Sequence, residues 1–376
     1  KFDPTIADLI PQFATLWQLS DPPSKELIRK CFSKLRDTAP GESNIPASVW
    51  KCIAKDDDIL DFIHNDIILP FWHDEKMPSD KLNINILVSS QKKETSPYQR
   101  TIGEYLREVF SKLISLISAE YLKLLFAAIE NNDDNIDLIK HVDPDRTKPT
   151  DPNPNSNDEP NDTTTTPTRN AQLPRPEDLY NAMESQNGFR TERGSRDADG
   201  TITSGFAARR EHGLPTWCCY IDFVKAFDTV PRELLWIILA KFGAPPKLAD
   251  YYKPHAEVKV IFEVGESRKV LRNSIGVLQG DTLAPLLFIL FKAGILLAWD
   301  NRPGQNAELD ALDLVHFSSD ASLNLKDRSR STQKPRVFTL KHVLYADDAA
   351  MPFARRAGIV RLLPEFFDYC ERGGLQ

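Results

Sequence analysis

Two short apolar stretches, each leading into aspartate, set the strongest limit on what this chain can fold into. Trp217-Cys218-Cys219-Tyr220-Ile221 is continuous and ends at Asp222, the pattern of a buried strand. Val337 to Tyr345 is rich in β-branched and aromatic residues and reads as a second strand, and Asp347-Asp348 then sits where a hairpin would turn. The two places lie 125 positions apart (347 minus 222), so only a sheet that pairs the two strands can join them. Joined, they form a cluster of hard oxygen ligands without His or Cys. That donor set suits Mg²⁺, which takes one or two carboxylates and completes its shell with substrate phosphates. Two such ions about 3.5–4 Å apart clamp the attacking and leaving oxygens of an in-line phosphoryl displacement. Taken singly, each piece has a bland explanation. An aspartate after a strand is usually a turn or cap residue, and paired aspartates are common in hairpin turns.

The surrounding pattern is mixed. The first 130 residues read as mostly helical, with Leu27, Ile28, Cys31, Phe32 and Leu35 at helical spacing and a long amphipathic helix or helix pair over Thr101 to Glu130. Asn131 to Asn170 carries six prolines and four consecutive threonines from Thr163 but almost no apolar residues, which predicts a disordered insert. From Thr216 the texture becomes α/β. Pro231 opens a helix that runs through Glu233 to Phe242 and stops at Gly243. Glu257 to Glu263 and Lys269 to Asn273 read as strands around Gly265, and Gly276 to Gly280 as a loop. The apolar run Leu283 to Trp299, interrupted by Pro285, Lys292 and Gly294, reads as a core helix and not a membrane span. Asn301 to Arg336 reads as a polar loop.

Charge and cysteine content narrow the function classes. The formal charge is −7, which at first argues against a partner with a phosphate backbone. The segment Asn131 to Asn170, however, holds four basic and nine acidic residues, leaving −2 on the rest. Six basic residues against Asp327 give Lys326 to Lys341 a charge of +5, suited either to nucleic-acid phosphates or to a solvated loop. The five cysteines include no C-x-x-C pair, which disfavours a zinc site or a disulfide framework and favours a reducing, intracellular setting. With no initiator Met and no secretory signal at Lys1, the chain reads as a piece of a larger protein.

Four ordered motifs resemble one family. Tyr220-Ile-Asp222-Phe-Val-Lys225-Ala-Phe227-Asp228-Thr-Val-Pro231-Arg232 resembles the first palm motif of reverse transcriptases from non-LTR (LINE-type) retrotransposons. Gly276-Val-Leu-Gln279-Gly280-Asp281-Thr-Leu-Ala-Pro285-Leu-Leu-Phe288 is similar to the next palm motif, and Tyr345-Ala-Asp347-Asp348 to the catalytic hairpin. Upstream, Gln186-Asn-Gly188-Phe189-Arg190-Thr-Glu192-Arg193-Gly-Ser195 resembles a fingers motif. The likeness is looser over Lys34 to Pro46 and Ser96 to Ile102, and Phe366 to Leu375 resembles the segment that follows the hairpin.

The resemblance implies an α+β right-hand polymerase fold with fingers and palm, an antiparallel palm sheet backed by helices, and the thumb missing. Residues 1–130 would hold the helical N-terminal region and the first part of the fingers, 131–170 the insert, 171–215 the rest of the fingers and 216–376 the palm. It implies RNA-directed DNA polymerase activity: dNTPs joined to a primer 3′-hydroxyl on an RNA template, with two Mg²⁺ ions. Asp222 and Asp347 would be the main metal ligands, with Asp348 assisting and the Phe223 carbonyl completing a site. Phe227 matches a steric gate against a ribose 2′-hydroxyl. Gln279 and Gly280 would lie along the incoming nucleotide, and Arg190 would clamp its triphosphate, with Arg193 a weaker candidate. Tyr345 would support the hairpin near the primer end. Template RNA and primer DNA are the implied partners, without a membrane, and nuclear action follows from the family alone.

Departures from the pattern keep other classes open. Glu192 stands where a glycine is expected between the two arginines, Ala284 where serine is common, and Ser43 where an aspartate is usual. They leave room for a catalytically inactive remnant that acts only as a nucleic-acid-binding or structural domain. A maturase-like partner of an intron fits the motif wording less well. Ala346, where viral RNA-copying polymerases often carry glycine, points away from those.

Overall fold

A computed structural model describes residues 2–37, 45–74, 84–90, 102–107, 109–131, 182–256, 258–264, 267–273, 275–277, 281–318 and 337–376. Gln279, Gly280, the expected insert apart from Asn131, and all of the basic stretch from Lys326 to Arg336 lie outside them.

The N-terminal part is helical, as its spacing predicts: α1 (Thr5–Leu9), α2 (Lys25–Lys34), α3 (Ala47–Ile53), α4 (Asp57–Phe62) and α5 (Leu69–Asp74). Ser24 caps α2 by accepting from the Leu27 N–H at 3.2 Å, and Asp56 caps α4 by accepting from Ile59 at 3.1 Å. Ile28, Cys31 and Phe32 fall on one face of α2 and are buried.

The long helix expected from Thr101 starts later. Strand β1 (Ile84–Ser90) pairs antiparallel with β2 (Ile102–Arg107), and only then does α6 (Val109–Asn131) begin. Ile102, Tyr105 and Leu106 fit a strand as readily as a helix, and Gly103 weakens helix there, so a pairing partner decides.

Next come α7 (Ser195–Glu211), β3 (Trp217–Ile221), α8 (Ala226–Thr229), α9 (Arg232–Lys241) and α10 (Pro246–Ala256). Strands β4 (Val258–Val264) and β5 (Ser267–Asn273) form the expected hairpin. They join the first hairpin through a parallel β1–β4 pairing, in the order β2-β1-β4-β5.

Helix α11 (Ala284–Asp300) is the apolar run, buried from Ala284 to Trp299 except at Pro285. Gly294 lets α9 approach closely, since a Cβ there would lie 2.7 Å from the Ile238 Cδ1. Among the described residues no helix is long and apolar enough to cross a membrane.

The expected polar loop after Asn301 contains structure of its own. Asn306 caps α12 (Ala307–Asp313), accepting from Leu309 at 3.0 Å, and β6 (Val315–Ser318) follows. The expected strand Val337 to Tyr345 is two strands, β7 (Val337–Leu340) and β8 (Val343–Tyr345), in different sheets. The break falls at Lys341 and His342, where the Lys341 ammonium pairs with Asp300.

Strand β9 (Asp348–Phe353) completes the hairpin with β8, and α13 (Arg356–Arg372) ends the described chain's regular structure. Asp313, 1% exposed, anchors α13: it accepts from Arg355 Nε at 2.7 Å and Arg361 Nη2 at 2.8 Å. The strand pairing that the two aspartate sites required is present. β3 pairs with β9 and β9 with β8, all antiparallel, in the order β3-β9-β8.

Candidate active site

The three-stranded sheet carries the carboxylates at one end. Ile221 faces Ala349 in the last pair of the β3–β9 ladder, and one step beyond it come Asp222 and Asp348. Strand alternation sends Ile221 and Ala349 into the core and leaves Asp222 and Asp348 exposed. These two carboxylates share a groove of about 380 Å³, also lined by Tyr220 and Tyr345 of the sheet and by Asp199 and Ile202 of α7. Asp347 sits at the turn itself, half-buried.

The turn is strained and closely held. Ala346 has φ +56°, a left-handed conformation that costs a non-glycine residue about 1 kcal/mol. Gln186 offsets this from one side. Its Oε1 accepts from the Ala346 N–H at 2.9 Å and from Gly188 at 2.8 Å, and its Nε2 reaches the Ala346 carbonyl at 3.4 Å. The Asn187 N–H donates to the Leu344 carbonyl, and Leu344 donates to that of Ser185, both at 2.8 Å. The Gln186–Gly188 motif is therefore an added edge alongside β8, in contact with the hairpin. From within, Lys292 of α11 donates to the carbonyls of Ala346, Asp347 and Asp348 at 2.9, 2.7 and 3.0 Å. Burial pushes this ammonium down to about 7, with Cys370, Asp347 and Asp348 pulling it back up.

A family model for reverse transcriptase (RNA-dependent DNA polymerase) matches residues 172–376, more than half of the chain and all of the elements just described. The chain belongs to the reverse transcriptase family. No curated protein matches it.

As a reverse transcriptase it has a donor set of carboxylates without thiolate or imidazole. Among the described residues, no three His, Cys, Asp or Glu side chains are gathered into a ready-made metal cage. Exposed carboxylates on adjacent strand ends still fit a divalent ion that takes its remaining ligands from substrate phosphates and water.

In this reverse transcriptase the two motifs expected to border the nucleotide are locked to one another. Gly276 donates to Val230 and Val277 to Phe227, both at 2.8 Å, while Arg232 Nε donates to the Gly276 carbonyl at 2.8 Å. Gly276 has φ +79°, and a Cβ there would lie 2.6 Å from the Asp228 carbonyl oxygen, so glycine is required. These contacts set the start of the loop that leads to Gln279 and Gly280, two residues outside the described ones. Phe227 is half-buried, its ring stacked on Phe288 of α11 with centroids 4.5 Å apart.

Arg190 is not brought to the groove. Its Nη1 donates to the carbonyls of Met183 at 2.6 Å and Gln186 at 3.3 Å. Arg193 is held by Glu184, through the carbonyl at 2.7 Å and the carboxylate at 2.5 Å. Tyr345 is exposed beside Asp348, and Lys225 is exposed with φ +50°.

Three contributors lie outside the sequence-based site: Gln186, Arg232 and Lys292. Gln186 and Arg232 fall within the resembling motifs but act through backbone contacts that spacing does not reveal. Lys292 did carry a signal, as a lone charge inside the most apolar run of the chain.

Proposed function

We propose that this reverse transcriptase copies an RNA template into DNA, adding dNTPs to a primer 3′-hydroxyl by a two-metal mechanism, and that it comes from a non-LTR (LINE-type) retrotransposon. The observation that carries the reading is the β3–β9 pairing, which sets Asp222 beside Asp348 on one groove although 125 positions separate the first strand's aspartate from Asp347 (347 minus 222). Bound Mg²⁺ would supply charge stabilisation at the reacting phosphate and oxygens. Asp222, Asp347 and Asp348 would hold it, and the remaining contribution of the chain is positioning. Phe227, backed by Phe288, would form the floor beneath the sugar and reject a 2′-hydroxyl. Gln279 and Gly280 would border the nucleotide, and Arg190 would reach the triphosphate only by exchanging its backbone partners. Residues 216–376 would be the palm, with fingers before them. The same family likeness implies template RNA, primer DNA and action in the nucleus.

The test is primer extension on an RNA template with Mg²⁺ and dNTPs, with Asp347→Ala as the control. Template-dependent extension that vanishes in the control is the expected result. Binding of primer-template with no extension by the unaltered chain would overturn it. That second outcome would favour a non-catalytic nucleic-acid-binding remnant, a reading supported by Arg190 facing its own backbone and by Glu192 between the two arginines.

A further inference from the structure

Lys292 is 2% exposed in a helix that is otherwise apolar through its whole middle. Taking an ammonium out of water is costly unless its donors are well used. A lysine has three donors, and here three successive carbonyls of the hairpin turn receive them, those of Ala346, Asp347 and Asp348. The same nitrogen lies 5.3 Å from the centre of the Phe223 ring, the residue directly after Asp222. One buried charge thus touches the backbone of two of the three aspartates and the neighbour of the third.

We propose that Lys292 is a positioning residue that ties the Asp347-Asp348 turn to the end of β3, fixing the relative placement of the three carboxylates. The inference rests on the polymerase reading above. A turn with a left-handed alanine has other backbone conformations available. Three carbonyls directed at one cation select a single one, and a carboxylate's direction follows its own backbone. Met is close to Lys in length and shape, so it refills the space without a cavity while the three carbonyls lose their donor. Lys292→Met therefore separates positioning from simple support of the fold.

The experiment compares unaltered protein with Lys292→Met and Lys292→Gln, the latter keeping an uncharged donor. Three readouts are taken: thermal midpoint, hydrogen exchange of the peptide spanning Leu344 to Ala349, and steady-state primer extension. Lys292→Met is expected to fold, to exchange faster at that peptide alone, and to lose kcat on the order of 100-fold. Its KM for dNTP and its primer-template affinity should stay within about threefold, and Lys292→Gln should recover part of the loss. Unchanged exchange and unchanged kcat in Lys292→Met would overturn the proposal. So would failure of both variants to fold, which would make Lys292 a structural residue only. If the unaltered protein binds primer-template without extending it, while Lys292→Met still loosens the hairpin, the tie is upheld and the polymerase reading is what fails.

Discussion

Gly188 and Ala346 meet backbone to backbone: a Cβ on Gly188 would lie 2.4 Å from the Ala346 nitrogen. No side-chain rotation can relieve such a contact. A methyl at position 188 must push the hairpin turn, or the edge formed by Gln186, out of place.

Gly188→Ala is therefore expected to destabilise the fold by about 1–3 kcal/mol, the usual cost of overpacking. Urea denaturation measures this directly. Extension should fall more than stability does, because the displaced backbone carries Asp347. Wild-type stability with wild-type extension would show that the turn moves freely.

Ala346→Gly removes the left-handed penalty but loosens the unfolded chain, two effects of opposite sign and each about 1 kcal/mol or less. The expected stability is thus within roughly 1 kcal/mol of the parent. With Gln186 and Lys292 still holding the turn, extension should survive. A large loss of extension at unchanged stability would mean that the methyl group itself contacts substrate.

Phe227→Val should relax the rejection of ribonucleotides, measured as the ratio of kcat/KM for dNTP and the matching rNTP. Phe288→Leu tests the same floor from behind, since the stacked ring loses its backing. A smaller shift in the same direction is expected. Unchanged ratios in both variants would remove the gate assignment from Phe227.

Glu120 predicts an acid limb in the stability profile. Burial raises its pKa, but hydrogen bonds from Lys123, Lys34 and Lys30 prevail and hold it at about 2. A carboxylate held below its ordinary value near 4.5 adds stability that is complete above that value and lost as pH falls toward 2. Glu120→Gln should cost about 1–2 kcal/mol at neutral pH and flatten this part of the curve. Equal slopes for the two proteins between pH 4.5 and 2 would contradict the assignment.

Much of the site was legible because its strands announce themselves locally. Trp217 to Ile221 is an unbroken apolar run with turn residues on either side, and its bounds in the structure match the pattern. The strand is not buried as expected, however: Trp217 and Tyr220 are exposed, Cys218 and Cys219 half-buried, and only Ile221 is buried. The hairpin, α9, α11 and the β4–β5 pair were readable on the same grounds. Less visible was anything decided by a distant partner. Ile102 to Arg107 is a strand because β1 lies beside it, and Val337 to Tyr345 splits because its halves pair in different sheets. The polar stretch after Asn301 hid α12, which is anchored by arginines from α13 more than by apolar burial. The grip of Gln186 and Lys292 on the turn is invisible to periodicity, since it depends on where backbone carbonyls point in three dimensions.

The parallel β1–β4 pairing bears on how the molecule assembles. Ile84 faces Lys259, a loop of 175 positions (259 minus 84) that must close before β1 gains its second neighbour. Closure entropy grows only with the logarithm of length, but a chain emerging from the ribosome must wait for the partner to be made. Until then β1 has only the β2 hairpin and presents one unpaired edge, a place where another strand can add. The four-stranded sheet thus forms only once β4 and β5 have been made, and until then the β1 edge is open to a wrong partner.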